Sequence, residues 1–162
     1  MSSGVPTPDA EAFRDACALF ASGVAIATVR AEDGTPHGLT VSSFTSVSME
    51  PPLILVCIDY GCTFLSHFRA GKHFGVNVLS AAQRDLSVVF AEKPEGRFEG
   101  VDWYSNQSGV PLLPGSLATI ECRVMSIVEA GDHAVFMGQV IGTQTAGGEP
   151  LLYFNRDYRT LR

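Results

Sequence analysis

The stretch from Val24 to Ser43 constrains the fold more than any other. VAIATVR (24–30) is apolar and β-branched, Asp33-Gly34 is a turn pair, and HGLTVSS (37–43) resumes an extended pattern; this is the sequence form of a β-hairpin. Comparable runs recur along the chain. LILVCI, Leu53 to Ile58, follows Pro51-Pro52 as a continuous apolar run and reads as a strand buried on both faces near the centre of a sheet. HFGVNVL (73–79) is another strand. Ala118, Ile120, Cys122 and Val124 alternate with polar residues, Gly131-Asp132 turns the chain, and His133 to Ile141 returns as a strand. Pro150 to Phe154 supplies the last strand, before a polar, Arg-containing tail.

Between these runs only short helices fit. Thr7-Pro8 offers an N-cap and a first-turn proline, Phe13, Ala16, Cys17 and Phe20 form one apolar stripe, and Gly23 can end the helix. Its expected role is that of an amphipathic lid or brace. Thr63 to Ala70 reads as a second helix. Ser80 and Gln83 form a capping box ahead of a third, with Leu86, Val89 and Phe90 on one side. From Glu92 to Pro114 no period holds, so an extended surface loop is expected. About seven strands at hairpin spacing with so few helices predict a mainly β fold, an antiparallel sheet closed or nearly closed into a barrel, rather than βαβ units. With no repeat and no linker, residues 1–162 read as one domain, and residues 1–6 as a disordered tail.

Composition narrows the function classes. A chain of 162 residues that is 46% hydrophobic can bury about two thirds of its unfolded surface. Only 17% of its residues are charged, which points to an oligomer interface or a large ligand slot. The net charge of -6 without any Lys/Arg run argues against nucleic acid or an anionic membrane as partner. No leader pattern and no apolar run of ~18 residues is present, so a cytoplasmic location is expected. The four cysteines, Cys17, Cys57, Cys62 and Cys122, form no C-x-x-C pair, and buried reduced thiols with no metal site are expected. No G-x-G-x-x-G follows a strand, which removes a Rossmann site; no Ser-His-Asp spacing, H-E-x-x-H or paired helical carboxylates indicate a nucleophile, a metal or a general acid–base pair.

Thr40 to Ser48 carries six hydroxyl side chains in nine positions and no charge. These hydroxyls could be the solvent side of a strand and a turn. The adjacent Ser42-Ser43 pair breaks the alternation, however, and a bent backbone bearing hydroxyls can converge donors on a phosphate or a carbonyl-rich heterocycle. GLTVSSFTSVSMEPPLILV, with GVAIATV before it, FGVNVL and FAEK after it, then GDHAVFMGQV and PLLYFNRDYR, resembles the flavin reductase-like family of two-component monooxygenase systems, in order from about Phe13 to Arg159.

That resemblance implies a Greek-key-like split β-barrel, a homodimer, that binds FMN or FAD, reduces it with NADH or NADPH and supplies it to a separate flavin-dependent monooxygenase. It places flavin contacts at Thr40, Val41, Ser42 and Ser43, continuing through Ser46 and Val47. A second region falls at Cys62, Thr63 and Ser66, where a helix start would favour an anion; a plain N-cap is the competing reading of Thr63. Asn77 is either a ligand contact or a backbone-bridging amide within a strand. Ala91 and Lys93, with Arg97 as a weaker candidate, fall where the family contacts the flavin phosphate, against the alternative of solvated loop charges. His133 of the Gly131-Asp132-His133 triplet is the expected catalytic residue, orienting the nicotinamide or flavin edge while Asp132 fixes its tautomer. Tyr153, Arg156 and Tyr158 match the segment beside the dinucleotide, with core packing and a frayed tail as alternatives. No adenine pocket is recognisable, so FMN is favoured over FAD, and the lack of a basic cluster slightly favours NADH. Two other readings stay open: a barrel that holds FMN as a tight prosthetic group or carries it, and a non-enzymatic barrel for another apolar ligand.

Overall fold

The computed structural model describes residues 7–161; the tail expected at residues 1–6 lies outside them. The elements are α1 (Ala10–Ala18), β1 (Ser22–Gly23), β2 (Ala25–Arg30), β3 (Pro36–Val41), β4 (Thr45–Met49), β5 (Pro52–Asp59), α2 (Leu65–Ala70), β6 (His73–Val78), α3 (Arg84–Glu92), β7 (Ala118–Ala130), β8 (His133–Thr145), β9 (Leu152–Phe154) and β10 (Asp157–Arg159). The mainly β class expected from the sequence is the one observed. Seven strands form one antiparallel sheet in the order β3-β2-β6-β7-β8-β5-β4, and β1, β9 and β10 form a small second one.

This order dictates curvature. The two edges, β3 and β4, are consecutive in sequence and joined only through Ser42, Ser43 and Phe44. In a flat sheet they would stand about 29 Å apart, whereas four residue steps reach about 14 Å at most. The sheet must therefore roll until its edges approach. Across that seam the Ser43 hydroxyl accepts a hydrogen bond from Cys57 N at 2.9 Å and donates to Cys57 O at 3.1 Å on β5. No ladder joins β3 to β4, so the barrel is split along this line.

The inside of the roll is one core, in which Ala27 and Val29 of β2, Ile54, Val56 and Ile58 of β5, Phe74 and Phe136 meet Phe64, Leu65 and Phe68 at the start of α2. A second core lies on the other face of β2, where Val24 and Ile26 pack with Leu79, Phe90, Leu113 and Leu151. The strands buried on both faces are thus β2 and β6, not the Leu53–Ile58 run: β5 lies beside the edge strand β4, and only its alternate residues Ile54, Val56 and Ile58 are buried. The segment after Glu92 is irregular as expected, but it is no surface loop. Phe98, Val101 and Trp103 pack on the second core, and Val110, Leu112 and Leu113 are buried; apolar residues without a period still find cover.

Two terminal elements also differ from expectation. α1 ends at Ala18, Gly23 belongs to β1, and the apolar stripe is uncovered, with Phe13 60% and Phe20 81% exposed. Cys17 is exposed too, while Cys122 is buried and its thiol is pushed up to about 12 by desolvation. The C-terminal segment folds back as the β9–β10 hairpin through Asn155 and Arg156, both at positive φ (50° and 63°), the backbone of a two-residue type I′ turn. Asn155 N bonds Ala18 O at 2.7 Å, and Arg156 pairs with Asp15 at 2.6 Å; the hairpin therefore anchors α1. No helix among the described residues is long and apolar enough to cross a membrane.

Candidate active site

The hydroxyl stretch divides its labour. Thr40 Oγ1 donates to Ser87 O of α3 at 2.7 Å, and the Ser87 hydroxyl meets Tyr158 Oη at 2.8 Å. Gly38 lets α3 approach, because a Cβ there would stand 2.9 Å from the Phe90 ring and 3.0 Å from Ala27 O. Ser43 is spent on β5. Ser42 is exposed and makes no side-chain hydrogen bond among the described residues. Around it, Thr40, Val41, Ser42, Ala91, Tyr153 and Tyr158 line one pocket of about 160 Å³. The Tyr153 and Tyr158 rings meet edge to face at 5.4 Å, and Arg84 lies over Tyr158 at 5.3 Å. Residues from four parts of the chain, the end of β3, α3, β9 and β10, thus converge where the seam begins.

Other candidates lie elsewhere. Ser46 and Val47 sit on β4 where its register slips against β5, and Val47 is 44% exposed. Cys62 packs against the inner core. Phe64, not Thr63, holds the N-cap position of α2, a helix of six residues; Thr63 instead lines a larger pocket of about 640 Å³, and Ser66 lines a third beside Arg30 and Lys72. Lys93 Nζ is committed to Gly96 O and the Glu99 carboxylate, each at 2.7 Å, which holds the Glu99 carboxyl below the usual carboxylate range. Arg156 is the turn residue paired with Asp15.

Asn77 takes the backbone-bridging alternative. It is 0% exposed, its amide donates to Ile26 O at 3.0 Å, and its carbonyl accepts from Leu113 N at 2.8 Å. No polar atom is left for a ligand; the amide is what ties the irregular 92–114 segment to β2 and β6.

His133 opens β8 opposite Asp59, with its Nδ1 2.7 Å from Asp132 Oδ1. This contact holds the Asp132 carboxyl below its ordinary value. His133 does not line the Ser42 pocket. It belongs instead to the far side of the seam: Ser43 bonds Cys57, and Asp59, two residues on, faces His133, a strand step of about 7 Å.

Sequence reasoning named Thr63 and Arg97 but missed the larger pocket that they line together. His37 of β3 stacks on Phe64 (centroids 4.8 Å) and on His67 of α2 (4.3 Å, planes within 5°), and Arg97 caps Phe64 at 5.0 Å. Burial first, then the neighbouring His67, lowers the His37 pKa below 6.5. The three segments share no local pattern, so only the fold brings them together.

Comparison with known proteins agrees with this architecture. The flavin reductase like domain matches residues 17–162. Among curated relatives, the stachydrine N-demethylase reductase subunit Stc3 of Rhizobium meliloti is 39% identical over 150 residues, covering 93% of this chain and 65% of the relative. The FMN reductase (NADH) SmoA of Agrobacterium fabrum is 38% identical over 145 residues, covering 90% and 82%. The solved NADH:FAD oxidoreductase of Streptomyces globisporus superposes with a TM-score of 0.90 at 33% identity, covering 100% of this chain and 99% of that one. The chain spans 50%, 65% and 47% of the first three curated relatives it matches. With the domain match running over nearly its whole length, this chain belongs to the flavin reductase-like domain family.

Proposed function

We propose that this protein is an NAD(P)H-dependent flavin reductase that supplies reduced flavin to a separate monooxygenase component, with residues 1–162 acting as one domain. The observation that carries the reading is the pocket at the end of β3, where hydroxyl and aromatic residues meet in a member of this family. Those residues fit a flavin: Ser42 is a free donor for a ring carbonyl, and Tyr153 and Tyr158 supply an apolar aromatic wall with polar tips. Ser42 and the two tyrosines would hold the flavin, and the flavin, when bound, would supply the hydride-accepting chemistry itself. The chain's part is to hold the two rings in contact and keep water out. His133 orients the nicotinamide or balances charge on the flavin edge; the Asp132 carboxylate receives Nδ1–H and leaves Nε2 as the outward nitrogen.

Two relatives support this reading by what they are: a reductase component of a trigonelline monooxygenase in Acinetobacter baylyi, and the Streptomyces globisporus oxidoreductase, which has been solved with NAD and FAD fragments. NADH is the favoured donor. A homodimer is the assembly in which the bare stripe of α1 finds cover.

The test is NADH oxidation by purified protein, followed by absorbance with and without FMN, FAD and riboflavin and repeated with NADPH. Flavin-dependent turnover is expected, faster with NADH. Tightly bound flavin that is never released would return the protein to the carrier reading, and no turnover with any pair would sink the reductase reading.

A further inference from the structure

A further pocket, of about 670 Å³, lies where the β7–β8 hairpin meets the Asn106–Ser108 segment, and it shares no lining residue with the pockets above. Its one charged residue is Glu121 of β7, which is only 7% exposed. Gly142 stands opposite it on β8, where a Cβ would come within 2.7 Å of Glu121 Oε2; the bare position leaves the carboxylate room to lie across the neighbouring strand. The register then skips Ile141, an extra residue on β8 that is left half-exposed at the pocket's edge, and bulges of this kind re-aim side chains. The carboxylate accepts hydrogen bonds from the Ser108 hydroxyl, from Ser108 N at 3.4 Å and from Asn106 Nδ2 at 3.2 Å. All three donors are neutral, and no Lys, Arg or His pairs with Glu121 among the described residues. Burying a carboxylate without a counter-charge costs stability. A glutamine would tie the same segment at a lower cost, so the negative charge exceeds what the fold requires.

We propose that this pocket binds an organic cation, a guanidinium or primary ammonium group on an aliphatic stem, with Glu121 as its counter-ion. The remaining lining suits that shape. Gln107 and Gln144 offer amide carbonyls and Thr143 a hydroxyl for the N–H groups, while Ile141 gives the stem an apolar contact. Gln144 Oε1 already accepts from Tyr104 Oη at 2.8 Å and keeps a second lone pair. The net charge of -6 favours the approach of cations in general. A free amine and an exposed arginine of a protein partner both carry this chemistry. Nothing in the proposal depends on the flavin reductase reading.

Titration of the isotopically labelled full chain with butylguanidinium chloride, followed by amide NMR shifts, tests it without any turnover. Saturable shifts are expected at Ser108, Gly142 and Gln144, and Glu121→Gln should weaken the apparent affinity by roughly tenfold or more. That variant should melt no lower than the parent chain, because the charge it removes serves the ligand rather than the fold. Tetramethylammonium, which carries the same charge but donates no hydrogen bond, should leave these amides in place. The same titration with acetyl-Gly-Arg-Gly-amide separates the sources: matching shifts support the pocket as a seat for a protein side chain, and their absence beside butylguanidinium binding supports a free amine. No saturable shift with butylguanidinium, equal shifts with tetramethylammonium, or an affinity unchanged in Glu121→Gln overturns the inference. So does a Glu121→Gln chain that melts well below the parent or fails to fold, since the charge would then be spent on holding the Asn106–Ser108 segment.

Discussion

Single side chains in this protein separate into those the fold has spent and those it leaves free. Asn77 and Ser43 are spent. Replacing Asn77 by Leu strands Leu113 N–H inside the second core and should cost about 2 kcal/mol of stability, read by urea unfolding; loss of flavin affinity at unchanged stability would restore Asn77 as a ligand contact. Ser42 is free, and His133 commits only its Nδ1, to Asp132. Ser42→Ala should weaken flavin by about 1 kcal/mol with no change in melting, whereas Ser43→Ala, which unpins the seam from Cys57, should show in melting. His133→Ala should lower turnover with NADH and leave the flavin dissociation constant nearly unchanged, and an unaltered rate would return the residue to a plain turn role. At this scale the sequence distinguished residue types but not partners. Two adjacent serines look identical until the register shows that one of them faces the backbone of a strand 14 residues away.

Among the elements, strands were legible and their surroundings were not. Hairpin spacing and Asp33-Gly34 located β2 and β3 because a turn is a local event, as is the Ser80–Gln83 box. What covers an element is not local. α1 shows an amphipathic stripe that nothing among the described residues covers, and the 92–114 segment lacks a period yet fills a core, so periodicity alone misjudged both. The packing of α2 on β3 carries a testable electrostatic consequence. His37, half-buried and stacked on His67, resists protonation; Asp33 acts weakly in the other direction, and Arg97 stands in the same column. A group with a lowered folded pKa binds its proton more readily in the unfolded chain, so stability is full above 6.5, the unfolded value, and falls as pH drops through it toward the folded pKa. Unfolding at about pH 7.5 and about pH 5.5 should show this loss, and His37→Phe, which keeps a ring in the stack, should flatten it. A slope unchanged by that substitution would assign the effect to other groups.

For the molecule as a whole, exposed apolar area is the strongest unmet demand. Phe13 on α1, Phe20 just beyond its end, and Val128 and Ile141 on the long β7–β8 hairpin are all at least half exposed. Light scattering after size exclusion should give the mass of two chains, and Phe13→Glu together with Phe20→Glu should shift it toward one if α1 forms the contact. Composition pointed to an oligomer interface or a large ligand slot; the fold locates a candidate surface for the first. The seam between β3 and β4 bears on something other than chemistry: the order in which the chain can assemble. Its two strands are neighbours in sequence and opposite edges in the sheet, so Ser42 to Phe44 cannot reach their final positions until the five strands between have paired. Non-local pairing of this kind makes folding slow. The link that carries the candidate ligand residue is therefore the last part to lock and the first to open, with the fastest amide exchange in the region, and a ligand seated there acts as a latch on the closed barrel.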